Sequence, residues 1–153
     1  MTQAYNQPAD PQGSKPIEIL LVEDDTGEAL LIGEILAESP LPVNLRIARD
    51  GMDALLMLAS GVFRPDLIIV DLNIPYVSGH GVIERFHPED IPVVAFSSSL
   101  NEADKQRALK LGAREYVQKP MDLRAYTDAV RGIVEKWALT PYNIRSRSCT
   151  ADR

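Results

Sequence analysis

Cysteine is nearly absent from this 153-residue chain, where Cys149 stands alone. A lone thiol closes no internal disulfide, which suits a reducing compartment and leads us to expect a cytoplasmic protein. Long apolar runs are missing too. The longest, Ile17–Val22 and Leu67–Val70, are strand-sized, far short of the ~18 residues that cross a bilayer. The N-terminus carries no basic segment followed by an apolar one, so no secretory leader and no membrane partner are expected. Positive charge is in deficit: 16 Lys and Arg stand against 22 Asp and Glu, for a net charge of −6. That balance argues against nucleic-acid binding by bulk charge, which requires cations to replace phosphate counterions. Arg145, Arg147 and Arg153 make only a weak basic tail, read as solvated. The two histidines, His80 and His87, lie near loop ends with no second ligand in sight and read as surface residues.

What is present fits one domain with a real core: 45% hydrophobic and 25% charged residues over a length typical of a single domain. Residues 1–16 hold Pro8, Pro11, Pro16 and Gly13 without apolar periodicity and read as a disordered arm. From Ile17, short apolar runs alternate with amphipathic stretches. The runs predict strands over Ile17–Val22, Val43–Ala48, Leu67–Val70, Val93–Phe96 and Glu115–Val117. Helices are expected over Gly27–Glu38, Met52–Ser60, His80–Phe86, Glu102–Leu111 and Leu123–Trp137. Asp25, Asp50 and Asn101 stand where helix N-caps belong, and Gly112 where a left-handed C-cap belongs. Strands alternating with helices imply right-handed crossovers and a parallel sheet covered on both faces. The expected fold is therefore α/β, a doubly wound five-stranded parallel sheet, with residues 17–138 as the domain and 139–153 as an extension.

In such sheets ligands bind outside the carboxyl ends of the strands. Glu23-Asp24-Asp25 follow the first strand, Asp71 the third, Ser97-Ser98-Ser99 the fourth and Lys119-Pro120 the fifth. Neighbouring strands would crowd Glu23, Asp24 and Asp71 into one site, where like charges about 4 Å apart repel by roughly 4 kcal/mol at an effective dielectric near 20. Such a cluster takes up a cation or shifts its pKa values. Oxygen donors without His or Cys favour a hard ion such as Mg²⁺. Lys119 adds a positive charge placed for an anionic group. No Gly-rich phosphate loop follows the first strand, which counts against a nucleotide binder of the same fold class.

These residues carry a resemblance. The segments Leu20-Leu21-Val22-Glu23-Asp24-Asp25, Asp66–Pro75, Ile91–Ser98 and Tyr116-Val117-Gln118-Lys119-Pro120 occur in the order found in the receiver domain of bacterial two-component response regulators. The chain resembles that family from about Ile17 to Trp137, which implies the flavodoxin-like (βα)5 sandwich. The resemblance implies that Asp71 is the phosphoacceptor. It implies that Glu23, Asp24, Asp71 and the backbone carbonyl of Asn73 hold Mg²⁺. It likewise implies Ser97 as the switch hydroxyl, Ser98 as the small neighbour that admits the phosphoryl group, Lys119 as the phosphate-binding lysine and Tyr116 as the aromatic switch. A cis Lys119–Pro120 bond is also implied. Ser97 departs from the commoner Thr.

The segment Trp137-Ala138-Leu139-Thr140-Pro141-Tyr142, with Ser98–Asp104, is similar to single-domain regulators that partner bacterial phytochromes. This implies a sensor histidine kinase partner of phytochrome type and a homodimer using Trp137 and Leu139. The implied role is phosphoacceptance with self-phosphorylation and dephosphorylation, not turnover of a free substrate. Two other readings compete with this one. A Mg²⁺-dependent phosphatase with an aspartyl nucleophile needs a second Asp two residues on, where Asn73 stands. A pseudo-receiver acting as a bare binding module sits poorly with an intact set of Glu23, Asp24, Asp71, Ser97 and Lys119.

Overall fold

The computed structural model describes residues 3–6, 15–86 and 91–138. Its elements run β1 (Gln3–Asn6), β2 (Ile17–Val22), α1 (Thr26–Ala37), β3 (Val43–Ala48), α2 (Gly51–Ala59), β4 (Leu67–Val70), α3 (Gly79–Arg85), β5 (Val93–Ser97), α4 (Glu102–Leu111), β6 (Glu115–Gln118) and α5 (Leu123–Trp137). The sheet order is β1-β3-β2-β4-β5-β6. Strands β2 to β6 are parallel, in the five-stranded doubly wound arrangement expected.

Within the arm expected to be disordered over residues 1–16, Gln3–Asn6 form strand β1 instead. Gln3–Asn6 pair antiparallel with β3, from Gln3 opposite Ile47 to Asn6 opposite Asn44. The physical reason is the edge position of β3, whose outer backbone groups otherwise lack ladder partners.

The central strands are buried on both faces, so they read as continuous apolar runs, and alternate side chains serve different cores. Ile17, Ile19 and Leu21 of β2 join α1 and α5 through Ile32, Leu36, Val130 and Val134. Leu20 and Val22 of the same strand face the other way, toward Ala54, Val82, Ile83 and Ala108. Helix starts are fixed by side-chain caps. Asp25, Asp50, Ser78, Asn101 and Asp122 each accept a backbone N–H from the first turn of α1 to α5 in order. Gly112 ends α4 at φ 120°, a conformation that favours glycine.

Two details differ from expectation. The described chain has no cis peptide, so Lys119–Pro120 is trans, the isomer that X–Pro bonds favour by about 0.5–1 kcal/mol. His80, read as a surface residue, is buried on α3 and its Nε2 lies 2.9 Å from the Asp104 carbonyl oxygen of α4. His87 lies outside the described residues. On α5, Tyr126, Val130, Ile133 and Val134 are buried on one face, whereas Leu123 is exposed. No described helix is long and apolar enough to cross a membrane.

Candidate functional site

The site lies at the carboxyl ends of the central strands. Ladder bonds extend past each strand and fix the residues that follow. The Glu23 amide donates to the Ala48 carbonyl (3.0 Å), the Asp71 amide to Val22 (3.0 Å) and the Lys119 amide to Ser97 (2.8 Å). The side chains of Glu23, Asp71 and Lys119 therefore converge from β2, β4 and β6, although 96 and 48 residues separate Lys119 from its two partners.

Lys119 Nζ donates to Glu23 Oε2 at 2.9 Å and to Asp71 Oδ2 at 2.9 Å. Its third bond goes to Glu28 Oε2 at 2.5 Å. An ammonium has three donors, and all three are used. Asp71 Oδ1 accepts the Asn73 amide at 3.1 Å, and Glu23 Oε1 accepts the Asp25 amide at 3.1 Å. Glu23, Asp71 and Lys119 are all at most 8% exposed. Phe96 lines the cluster, its ring centroid 5.7 Å from Nζ.

Three carboxylates share one ammonium, so negative charge is in surplus. Burial pushes the Glu23 carboxyl up to about 7, which the Lys119 ammonium only partly offsets, and the charge of Asp71 raises it further. Burial pulls Lys119 down, but its hydrogen bonds to Glu28 and Glu23 win and hold it above the usual lysine range. Tyr126, buried and beside the Glu28 charge, is likewise held above the usual tyrosine range.

Ligand oxygens of Glu23, Asp24 and Asp71 all lie within 4.8 Å of one another. The donors are hard oxygens, two of the three residues are buried, and surplus negative charge is already present. Each feature suits a hard divalent cation. Asn73 sits exposed at the turn that follows Asp71.

The residues expected to form the switch lie at the end of β5, on the loop after it and on β6. Ser97 is fully buried, and its Oγ accepts the Ser99 amide at 3.3 Å. Ser98 is exposed. Tyr116 is half-buried, and its hydroxyl donates to the Ser99 carbonyl at 2.5 Å. Ser99 Oγ donates in turn to Asp104 Oδ2 at 2.7 Å, tying this loop to α4. Ser97 thus adjoins Lys119 through the backbone, while Tyr116, on β6, reaches the loop through its bond to the Ser99 carbonyl.

Trp137 lies at the far end of α5. It is half-buried, and its Nε1 donates to Glu115 Oε2 at 2.7 Å within the same chain. Leu139 lies outside the described residues. Glu28 was missed in the sequence. It stands in the first turn of α1 behind the Asp25 cap, where an acid is explained by the helix dipole alone. Its partners, Lys119 and Tyr126, are 91 and 98 residues away, so no local pattern signals them.

The carboxyl rim of this parallel sheet thus carries three acidic residues and a lysine within reach of one another. Residues 19–131 match the response regulator receiver domain, and the chain belongs to that family. It is 33% identical over 138 residues to response regulator Rcp1 of Synechocystis sp., covering 84% of this chain and 94% of that protein. Among solved structures it is similar to the phosphorylated cyanobacterial phytochrome response regulator RcpA. The TM-score there is 0.76 at 36% identity, covering 82% of this chain and 96% of that one. The Mn²⁺-bound form of Rcp1 gives 0.75 at 34% identity, with the same coverage of 82% and 96%. The protein is a receiver-domain regulator with a phosphoryl-accepting signalling role.

Proposed function

We propose that Asp71 takes the phosphoryl group from the phosphohistidine of a sensor kinase in the cytoplasm, with Mg²⁺ held by Glu23, Asp24, Asp71 and the backbone carbonyl of Asn73. One observation carries this reading. The buried Asp71 carboxylate is bonded to the Lys119 ammonium at 2.9 Å, and one of its oxygens lies within 4.8 Å of one oxygen each from Glu23 and Asp24.

An Asp71 oxygen attacks phosphorus, and the P–N bond breaks. The imidazole, protonated on its other nitrogen, departs neutral with the electron pair. Mg²⁺, when bound, supplies charge neutralisation and alignment for this transfer. Lys119 donates to a phosphoryl oxygen in place of the Asp71 carboxylate it now holds. The Ser97 hydroxyl and Ser98, at the head of the loop, receive the remaining phosphoryl oxygens. That draws Ser97 away from the Ser99 amide and frees the Ser99 carbonyl from Tyr116, so the phosphate biases a two-state loop by differential contacts. The protein works by this stoichiometric transfer, not by turnover of a free substrate.

The likeness to Rcp1 and RcpA, the latter described as a phytochrome response regulator, supports a phytochrome-type kinase as the partner. A homodimer that uses Trp137 and Leu139 is part of the same proposal. Incubation with phosphoramidate and Mg²⁺, followed by intact mass, should show one added phosphoryl group. EDTA or Asp71→Asn should abolish it; an adduct that survives Asp71→Asn would overturn the assignment.

A further inference from the structure

Lys119 has no spare donor. Two of its three acceptors, Glu23 and Asp71, belong to the acidic cluster, and Asp71 loses its carboxylate charge once it is esterified. Glu28 is different. It stands on α1 outside the cluster that a cation would use, and its backbone amide is fixed on the Asp25 cap at 2.9 Å. The same oxygen that accepts from Lys119 also accepts the Tyr126 hydroxyl at 3.2 Å. Tyr126 is itself buried on α5, with its ring against Phe96 at 5.2 Å between centroids. The Glu28 carboxylate is thus held between α1 and α5, and it is the one acceptor of Lys119 that lies outside the acidic cluster.

We propose that Glu28, held by Tyr126, is a positioning residue that aims the Lys119 ammonium at the phosphoryl group on Asp71. The inference rests on the functional reading above, since it concerns the same lysine. Without Glu28 the four-carbon side chain keeps two partners that both change role during transfer, and nothing fixes its direction. Small misplacements of a group that stabilises developing charge cost up to about 100-fold in rate. An amide oxygen at the same place accepts the same hydrogen, so Glu28→Gln preserves the geometry, whereas Glu28→Ala removes it. Tyr126→Phe keeps the ring on Phe96 and deletes the bond that holds Glu28.

The test is the rate constant of phosphorylation by phosphoramidate at saturating Mg²⁺, read by acid quench and mass. The full-length chain and the three variants are compared, with thermal melts as the folding control. Glu28→Ala should react about ten-fold more slowly. Glu28→Gln should return to within about three-fold of the parent, and Tyr126→Phe should fall about three-fold, since each keeps part of the geometry. A parent rate in Glu28→Ala or in Tyr126→Phe overturns the proposal, as does an equal loss in Glu28→Ala and Glu28→Gln. Should Glu28→Ala fail to fold, Tyr126→Phe and Glu28→Gln decide. Failure of the parent chain to take up phosphate on Asp71 is a separate result, one that removes the functional reading itself and this inference with it.

Discussion

At Lys119, one ammonium answers three carboxylates, and each partner is left in an unequal position. Glu23 is almost wholly buried and its carboxyl is raised to about 7 from 4.5. Between those two values the folded protein keeps a proton that the unfolded chain releases. Stability of the cation-free protein from this group therefore falls as pH rises from 4.5 to about 7, by on the order of 3 kcal/mol, and then levels off. Urea melts in EDTA at pH 5 and pH 8 check this. In the proposed site Mg²⁺ would have to displace the same proton, so its affinity should drop as pH falls below about 7. Titration in two buffers of different ionisation heat reads the proton release at pH 6. Removing the ammonium by Lys119→Met should cost about 3 kcal/mol at pH 8, because it strands buried charge, and less at pH 6, where Glu23 takes up a proton. An unchanged urea midpoint would contradict the burial argument.

Among the elements, the loop after β4 carries Asp71 and is clamped by close backbone approach. A Cβ at Gly79 would lie 2.3 Å from the Asp71 carbonyl oxygen, and one at Gly51 would lie 2.0 Å from that of Val77. Gly79→Ala should therefore destabilise the fold by about 1–3 kcal/mol and slow phosphorylation, because the start of α3 must move off Asp71. Melting and phosphoramidate kinetics on the same sample test both parts. The central strands were legible because burial on both faces turns them into apolar runs, and the helix starts because Asp25, Asp50 and Asn101 cap them. Strand β1 was not legible. Gln-Ala-Tyr-Asn has no apolar alternation, and its pairing depends on an edge of β3 some 40 residues away. His80 was misread for a similar reason, since its burial comes from contact with α4 and not from its own helix.

Over the whole molecule, four acidic or basic residues of the site were visible at strand ends, because topology alone brings strand ends together. Glu28 and Tyr126 were hidden, because their meaning arises only when α1 packs on α5. The same packing ends at Trp137, whose indole is tied to Glu115 of its own chain. Sedimentation equilibrium should find a dimer that Trp137→Ala weakens. An undiminished dimer would leave Trp137 with the intramolecular role that its bond to Glu115 describes.

The decisive property is where the phosphoryl group resides. Borohydride reduces an aspartyl phosphate to homoserine, so reducing the phosphorylated protein and sequencing its peptides by mass locates the modified residue. Homoserine at position 71, absent when Mg²⁺ is withheld, is the predicted result. A phosphoryl group on Ser97 or Ser98, or homoserine at Glu23's neighbour Asp24 and not at Asp71, would contradict it.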